Sequence, residues 1–197
     1  MKRWLLLLLL AWPAVTLAKE NNLIVPGKSF GPITAQYTRA DLVKTFGAAN
    51  VKDTRVHLGE GETVPGVAVY PKDPKRRLEI TWVKSKRVGD IRISGQSSVW
   101  HTADGVTLGT TLAQLQKLNG VPFKFSGFGW DYGGMILSWE RGKLEKSLKD
   151  VWLTLDPTAE SSYEGVIGDG EFVSSEVLQK NYSIAVAQIR VELNRDP

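Results

Sequence analysis

An internal repetition constrains this fold more than any other feature of the sequence. Two segments, beginning near Phe30 and near Asp104, place similar residues at the same relative positions with a constant spacing of 73. The matched pairs are Ile33 with Val106, Thr38 with Thr111, Ala40 with Ala113, Leu42 with Leu115, Lys44 with Lys117, and Gly47 with Gly120. A short unit of one helix and a few strands cannot bury its apolar face alone, so we expect two copies that share one core. Chance similarity of two helix–strand units is the alternative.

Each copy predicts a capped helix followed by a strand. Thr38 is placed as an N-cap residue, Asp41 stands where a capping box carries its acid or amide, and Gly47 ends the helix. A later strand ends in tryptophan in both copies, at residues 79–82 and 136–139, with 16 fewer residues between helix and strand in the second. The two copies are therefore expected to differ mainly in the length of this connection.

The remaining patterns complete an α+β prediction. Alternating apolar and polar residues indicate a hairpin within residues 51–70 and further strands at 78–82, 90–94, 151–155 and 182–193. We read residues 141–149 as a polar connection, 159–170 as a loop, and expect Ser174 or Ser175 to cap a short helix through Gln179. The predicted fold is a mostly antiparallel sheet with helices on one face, built from two tandem helix-then-strands repeats.

The first 18 residues are typical of a secretory signal. Lys2 and Arg3 precede an apolar run over residues 4–12, and Thr16 and Ala18 stand at the −3 and −1 positions of a cleavage site. We predict a signal peptide at 1–18, cleaved after Ala18, and a periplasmic or secreted bacterial protein. A membrane anchor is the alternative, but the apolar run is about half of the roughly 20 residues that span a bilayer.

The predicted organisation after cleavage is a single compact domain. Residues 19–29 form a flexible lead-in, 30–100 the first repeat unit, and 101–197 the second unit with a C-terminal strand. The sequence contains no cysteine, which excludes disulfides, a thiol nucleophile, Cys-based zinc and a lipid-acceptor cysteine. Of its 25 basic and 21 acidic residues, two basic ones lie in the signal, which leaves 23 − 21 = +2. We therefore expect no nucleic-acid partner and no stable membrane anchor.

Catalytic and metal-binding patterns are weak. His57 and His101 lie 44 residues apart without zinc-ligand spacing, so we expect no metal and no cofactor. Paired carboxylates for hydrolysis would have to come from acids such as Asp131, Glu79, Asp104 and Glu140. No glycine-x-serine-x-glycine elbow is present, so we assign no catalytic residue.

The segment 123–134 is the strongest candidate for a binding site. It holds five aromatic residues and four glycines in 12 positions, FKFSGFGWDYGG. Glycines let the backbone turn, and exposed aromatic side chains supply large contact area at low entropic cost. We predict that the binding residues are Phe128, Trp130, Asp131 and Tyr132. The alternative is that Phe123, Phe125 and Trp130 fill the core beside a strand.

The duplicated helix followed by an aromatic strand resembles the fold of the beta-lactamase inhibitor protein over residues 31–155. That fold is a tandem repeat that presents aromatic-rich strands to a partner, and small outer-membrane-assembly lipoproteins use a related single unit. This chain lacks the cysteines that brace the inhibitor and anchor the lipoproteins. Separately, the string GFGWDYGG is similar to a family of uncharacterised exported bacterial proteins, a resemblance that implies export and no activity.

These observations favour a non-catalytic binding protein in the periplasm or outside the cell. Its expected ligand is a protein or a cell-envelope polymer, held by the aromatic and glycine-rich turn. Two alternatives belong to other classes: a small hydrolase of envelope polymers that uses paired carboxylates, and a self-associating structural module.

Overall fold

The computed structural model describes residues 21–158 and 163–195, so the predicted signal peptide at 1–18 lies outside the described residues. Its helices are α1 (Arg39–Phe46), α2 (Leu112–Asn119), α3 (Lys143–Ser147) and α4 (Ser174–Leu178). Its strands are β1 (Leu23–Val25), β2 (Ser29–Phe30), β3 (Ile33–Thr34), β4 (Val51–Gly59), β5 (Glu62–Val69), β6 (Leu78–Trp82), β7 (Val88–Ser94), β8 (His101–Thr102), β9 (Lys124–Ser126), β10 (Ile136–Ser138), β11 (Val151–Pro157), β12 (Glu171–Val173) and β13 (Ile184–Glu192).

The strands form one large sheet and two small ones. The large sheet has the order β11-β13-β7-β6-β5-β4, and each pair of neighbours in it is antiparallel. The small sheets are β3-β2-β1-β8, in which β1 and β8 are parallel, and β10-β9-β12. The predicted α+β class with mostly antiparallel pairing is confirmed.

Alternation along the central strands separates two faces of the large sheet. Ile80, Ile91 and Leu153 are buried and belong to the same apolar core as Leu42 of α1 and Leu115 of α2. Burying a side chain of this size contributes about 1.5–3 kcal/mol. The core therefore lies between this face and the helices, and strand alternation alone would have located it.

The opposite, outer face of the sheet is polar. Cross-strand neighbours run from Glu79 to Arg92, then to Arg190 and Trp152. The guanidinium of Arg190 lies over the Trp152 ring, 4.4 Å from its centre. These side chains are partly exposed, and a second part of the chain covers Arg92.

That covering segment is the end of the β4–β5 hairpin, residues 55–65, which we call the arm. β5 pairs with β6 only from Gly66 to Val69, so the arm extends beyond the sheet. Arg92 donates a hydrogen bond to the carbonyl oxygen of His57, and Leu58 and Pro65 line a cavity of about 460 Å³ together with Asp90. The arm therefore lies over the outer face.

Gly66 allows the arm to lie there. A Cβ at Gly66 would be 2.5 Å from the carbonyl oxygen of Ile80 and 2.6 Å from a methyl group of Val56. Both distances are shorter than any real contact, so a larger residue would push the hairpin away from β6.

Part of the predicted flexible lead-in is ordered. Ile24 in β1 is fully buried, and β1 pairs with β2 and with β8. The expectation of a flexible segment is therefore wrong for residues 21–29, because a buried isoleucine and two strand partners fix it.

Two local predictions in the C-terminal half also need correction. The polar connection at 141–149 contains α3, because Leu144 and Leu148 are buried and anchor a helical turn. The N-cap of α4 is Val173 and neither serine caps it. Ser174 is instead buried, where its hydroxyl accepts from the Phe123 N–H at 3.0 Å.

The tandem repeat stays a prediction. Both helices have the predicted N-caps and end at the matched glycines, Gly47 and Gly120. The strands that end in tryptophan differ, because Trp82 lies in the six-stranded sheet whereas Trp139 follows a strand of the three-stranded sheet. The resemblance between the units is thus visible in the helices and not in the strand pairing.

Candidate functional site: an aromatic turn beside the arm

The aromatic turn, residues 127–134, connects β9 to β10 and is held closed by one buried side chain. The hydroxyl of Ser126 donates to the carbonyl oxygen of Tyr132 at 2.7 Å and accepts from the N–H of Met135 at 3.0 Å. Ser126 is 3% exposed, so these bonds are shielded from water. The serine therefore fixes where Tyr132 leaves the turn.

Two glycines allow neighbouring backbone to lie against this turn. A Cβ at Gly134, where φ is +75°, would be 2.0 Å from the carbonyl oxygen of Leu155, and one at Gly127 would be 2.4 Å from that of Gly168. Backbone hydrogen bonds join Gly134 to Leu155 at 2.8 Å and Gly127 to Gly170 at 2.9 Å. The turn is thus attached on both sides.

The phenylalanines face inward. Phe123 and Phe125 are fully buried, which confirms the alternative that assigned them to the core. Phe128, predicted to be an exposed binding residue, is only 3% exposed, so that prediction is wrong. Its ring packs 5.9 Å from Phe125 and edge-on to Tyr163 at 6.0 Å, because the turn at Gly127 directs it into the core.

The remaining predicted residues lie at the surface. Trp130 and Tyr132 are each 43% exposed, and Asp131 between them is exposed. The two rings meet edge to face with centres 5.5 Å apart, and the Trp130 indole donates to the Gly127 carbonyl oxygen at 3.0 Å. Ile167, 53% exposed, lies next to Gly129 and extends the apolar surface. The alternative of a buried Trp130 does not hold.

The tip of the arm influences the electrostatics of Tyr132. Glu60 has a positive φ of 50° in the turn between Gly59 and Gly61. Its carboxylate raises the pKa of the Tyr132 hydroxyl, chiefly as a hydrogen-bond acceptor and then through its negative charge, and burial, Asp131 and Glu62 act in the same direction. Glu60 and Glu62 were missed in the sequence, where only the glycine-flanked hairpin tip marks them.

The acids considered for hydrolysis lie on separate elements. Glu79 is in β6 and pairs with Arg77 at 2.6 Å, Asp104 is in the turn before α2, and Glu140 follows β10. An open groove of about 770 Å³ borders the aromatic turn at Gly133, and Asp156 is the one acid among its lining residues. Burial raises the pKa of Asp156.

Residues 21–158 and 163–195 contain no cluster of three or more His, Asp or Glu side chains able to hold a metal ion. The same residues include no helix long and apolar enough to cross a membrane. Both findings concern the described part of the chain alone.

Comparison with known proteins assigns no role to this site. No protein-family model matches this chain, and it matches no curated protein and no solved structure. The resemblance to the inhibitor fold and to exported proteins therefore stays a prediction.

Proposed function

We propose that this chain is an exported, non-catalytic binding protein that recognises a protein or cell-envelope ligand through the aromatic turn. The observation that carries the proposal is the exposed ring pair of Trp130 and Tyr132, seated on a turn that neighbouring segments hold in place. Large exposed aromatic rings are typical of binding hot spots, because they bury much area and lose few rotamers.

The local bonding of the turn supports the same function. Ser126 and the indole hydrogen bond of Trp130 hold the ring pair before any ligand arrives. A surface that is already ordered loses less conformational entropy on binding, so more of the contact energy appears as affinity. The buried Phe128 contributes as the inward anchor of this turn.

The test is capture of a partner from cell-envelope extract by the chain from Lys19 onward. We expect Trp130→Ala with Tyr132→Ala to lose the partner while circular dichroism stays unchanged. Truncating a hot-spot residue costs about 2 kcal/mol or more, which is roughly 30-fold in Kd. Leu137→Ala is the matched control, because Leu137 is an exposed apolar residue on β10, outside the turn. A partner retained equally by native chain and double variant contradicts the proposal.

Export is tested separately. We expect the protein in the periplasmic or extracellular fraction to begin at Lys19, which N-terminal sequencing or intact mass determines. A chain that keeps residues 1–18 and stays with the membrane fraction would instead support the anchor alternative.

A further inference from the structure

The open groove beside the aromatic turn has a floor that crosses three strands of the large sheet. Gln188 of β13 is paired with Ser94 of β7 on one side and with Thr154 of β11 on the other. These three residues, which we call the polar row, lie two positions along their strands from the outer-face row that ends at Trp152. Side chains alternate along a strand, so the polar row also faces outward. Neighbouring strands are about 4.8 Å apart, so its hydroxyl, amide and hydroxyl groups span about 10 Å.

The groove begins where the aromatic turn ends. Thr154 of the polar row forms a β-bridge with Met135, the first residue after the turn. Gly133, which directly follows Tyr132 in the chain, is itself among the residues that line the groove. A ligand that contacts the aromatic turn can therefore continue along the polar row without leaving the surface.

The hydrogen-bonding side chains of this groove have no partners within the protein. Among residues 21–158 and 163–195, none hydrogen-bonds the side chain of any member of the polar row or of Gln96, which also lines the groove. Serine and threonine hydroxyls and glutamine amides each donate and accept. The described residues that line the groove include one acid, Asp156, and no Lys, Arg or His. The groove thus offers both donors and acceptors but little charge.

We infer that the ligand of the aromatic turn is a neutral glycan strand that extends along the polar row. The inference rests on the proposed function and specifies its ligand. A sugar residue carries several hydroxyls that both donate and accept, which is the hydrogen-bonding character of the groove. An anionic polymer is typically held by Arg or Lys, and the groove lining supplies neither.

The length of the surface favours a polymer over a single sugar. Gln96 and Gly109 line this groove of about 770 Å³ and also a second groove of about 760 Å³. Together the two exceed the volume of about 300–1,000 Å³ that a small-molecule site usually has. Charged side chains of mixed sign, Asp104, Lys117 and Lys143, line only the second groove. Selection for neutral sugar residues is therefore expected along the polar row.

The probes for this inference are three neutral hexasaccharides, cellohexaose, maltohexaose and N-acetylchitohexaose, titrated by calorimetry into the chain from Lys19 onward. The anionic comparison is hexagalacturonate. We expect at least one neutral hexamer to bind with a Kd below about 1 mM and at least about tenfold more tightly than hexagalacturonate. That Kd should change less than about twofold between about 0.05 and 0.5 M salt, because no ion pair is screened. Failure of all three to reach this Kd, or tighter binding of hexagalacturonate, overturns the inference.

The decisive variant removes the hydrogen-bonding groups of the polar row and keeps their approximate size: Ser94→Ala, Thr154→Val and Gln188→Met together. We expect it to weaken binding of the neutral hexamer at least about tenfold, which corresponds to about 1.4 kcal/mol. Circular dichroism shows whether the triple variant folds. If it does not, Gln188→Met alone removes the central member of the row, and we expect a loss of at least about threefold.

The matched control makes the same three substitutions outside the groove: Ser85→Ala, Thr54→Val and Gln179→Met. These residues are partly or fully exposed, and none lines the groove. We expect a change of less than about twofold, because no contact with the glycan is removed. Equal weakening by the two triple variants overturns the inference.

Capture from envelope extract separates this inference from the proposed function. If Trp130→Ala with Tyr132→Ala loses the partner but the polar-row variant keeps it, the aromatic turn binds and the glycan inference is wrong. If the ring variant keeps the partner, the proposed function itself fails. A partner that is lost when the extract is treated with protease is a protein, which also overturns the inference.

Discussion

The two matched helices begin in the same way and are anchored in different ways. In α1 the Thr38 N–H bonds the Asp41 carboxylate at 2.9 Å, and in α2 the Thr111 N–H bonds the Gln114 amide oxygen at 2.8 Å. Each helix thus starts with a capping box, which short-range chemistry specifies completely. Residues close together in the sequence therefore determine where each helix begins.

The final residues of the two helices face different surroundings. Phe46 ends α1 partly buried, with its ring edge-on to Tyr70 at 5.6 Å. Asn119 ends α2 with 1% exposure, and it bonds the carbonyl oxygens of Val121 and Trp139 and the N–H of Leu144. Shape-based packing thus anchors the first helix, whereas directional hydrogen bonds anchor the second to the segment after the aromatic turn.

The region around the aromatic turn also contains a concentrated aromatic core, and a substitution there gives the largest expected effect. Phe125 is fully buried and lies 5.9 to 6.3 Å from the rings of Phe123, Phe128 and Phe172. We expect Phe125→Ala to lower the free energy of unfolding by about 3–5 kcal/mol in urea titrations, from lost burial and the cavity left behind. Phe125→Leu, which stays apolar and removes less volume, is the control and should cost less. A loss below about 1 kcal/mol for the alanine variant would contradict a core centred on this ring.

The contrast between the two anchors predicts the next largest effect. Asn119→Ala removes the acceptor of the buried Leu144 N–H and the donor to two carbonyl oxygens. One of these oxygens, that of Trp139, keeps a bond from the Gly142 N–H. A buried group left without a partner costs about 1–3 kcal/mol, so we expect a loss of about 2–3 kcal/mol. Phe46→Leu keeps an apolar side chain at a partly exposed site, and we expect a cost below about 1.5 kcal/mol. Equal losses for the two variants in the same urea titration would remove the distinction between packing and hydrogen-bond anchoring.

The similarity of the two helix starts predicts a smaller, matched pair of effects. We expect Thr38→Ala and Thr111→Ala each to lower the free energy of unfolding by about 1 kcal/mol near neutral pH, because each removes an N-cap acceptor. The serine variants keep the hydroxyl and serve as controls. Effects that differ by more than about 1 kcal/mol would show that the two caps are not equivalent.

The smallest expected effect is a difference between the two N-caps in how their contribution to stability depends on pH. The Thr38 hydroxyl and N–H hold the pKa of Asp41 below its usual range, so its contribution to stability is complete above an ordinary aspartate pKa of about 3.9 and is lost as the pH falls through the lower folded value. Gln114 does not titrate. We therefore expect the Thr38→Ala effect to shrink between about pH 6 and pH 2, while the Thr111→Ala effect stays nearly constant.

The control for that experiment is Asp41→Asn, which removes the titrating group from the first cap. In its background, the Thr38→Ala effect should no longer vary with pH. Persistent variation would assign the pH dependence to another group.

The elements that could be predicted from the sequence are those whose structure is determined by residues close together in the chain. Thr38, Thr111 and the matched glycines are recognised by short-range capping chemistry, and the strands of the large sheet by their alternation. Phe128 was misplaced because alternation no longer indicates side-chain direction once the chain turns at Gly127. The β1 strand was missed because its pairing with β8 joins residues far apart in sequence.

The candidate site was found only in part for the same reason. The aromatic cluster marked Trp130, Asp131 and Tyr132, whose exposure the structure shows. Glu60 and Glu62, which raise the pKa of Tyr132, belong to the arm. The path of the arm depends on Gly66, Arg92 and the pairing of β5 with β6. No local pattern near residue 60 contains this information.

The position of β13 has a consequence for how the chain is made. Residues 184–192 insert between β7 and β11, so the large sheet stays in two pieces until they are available. A nascent or truncated chain lacking them would expose two unpaired strand edges, which are templates for aggregation. Such non-local pairing also slows folding. The strand edges of β7 and β11 are therefore protected from aggregation only after β13 has been synthesised and has paired with both.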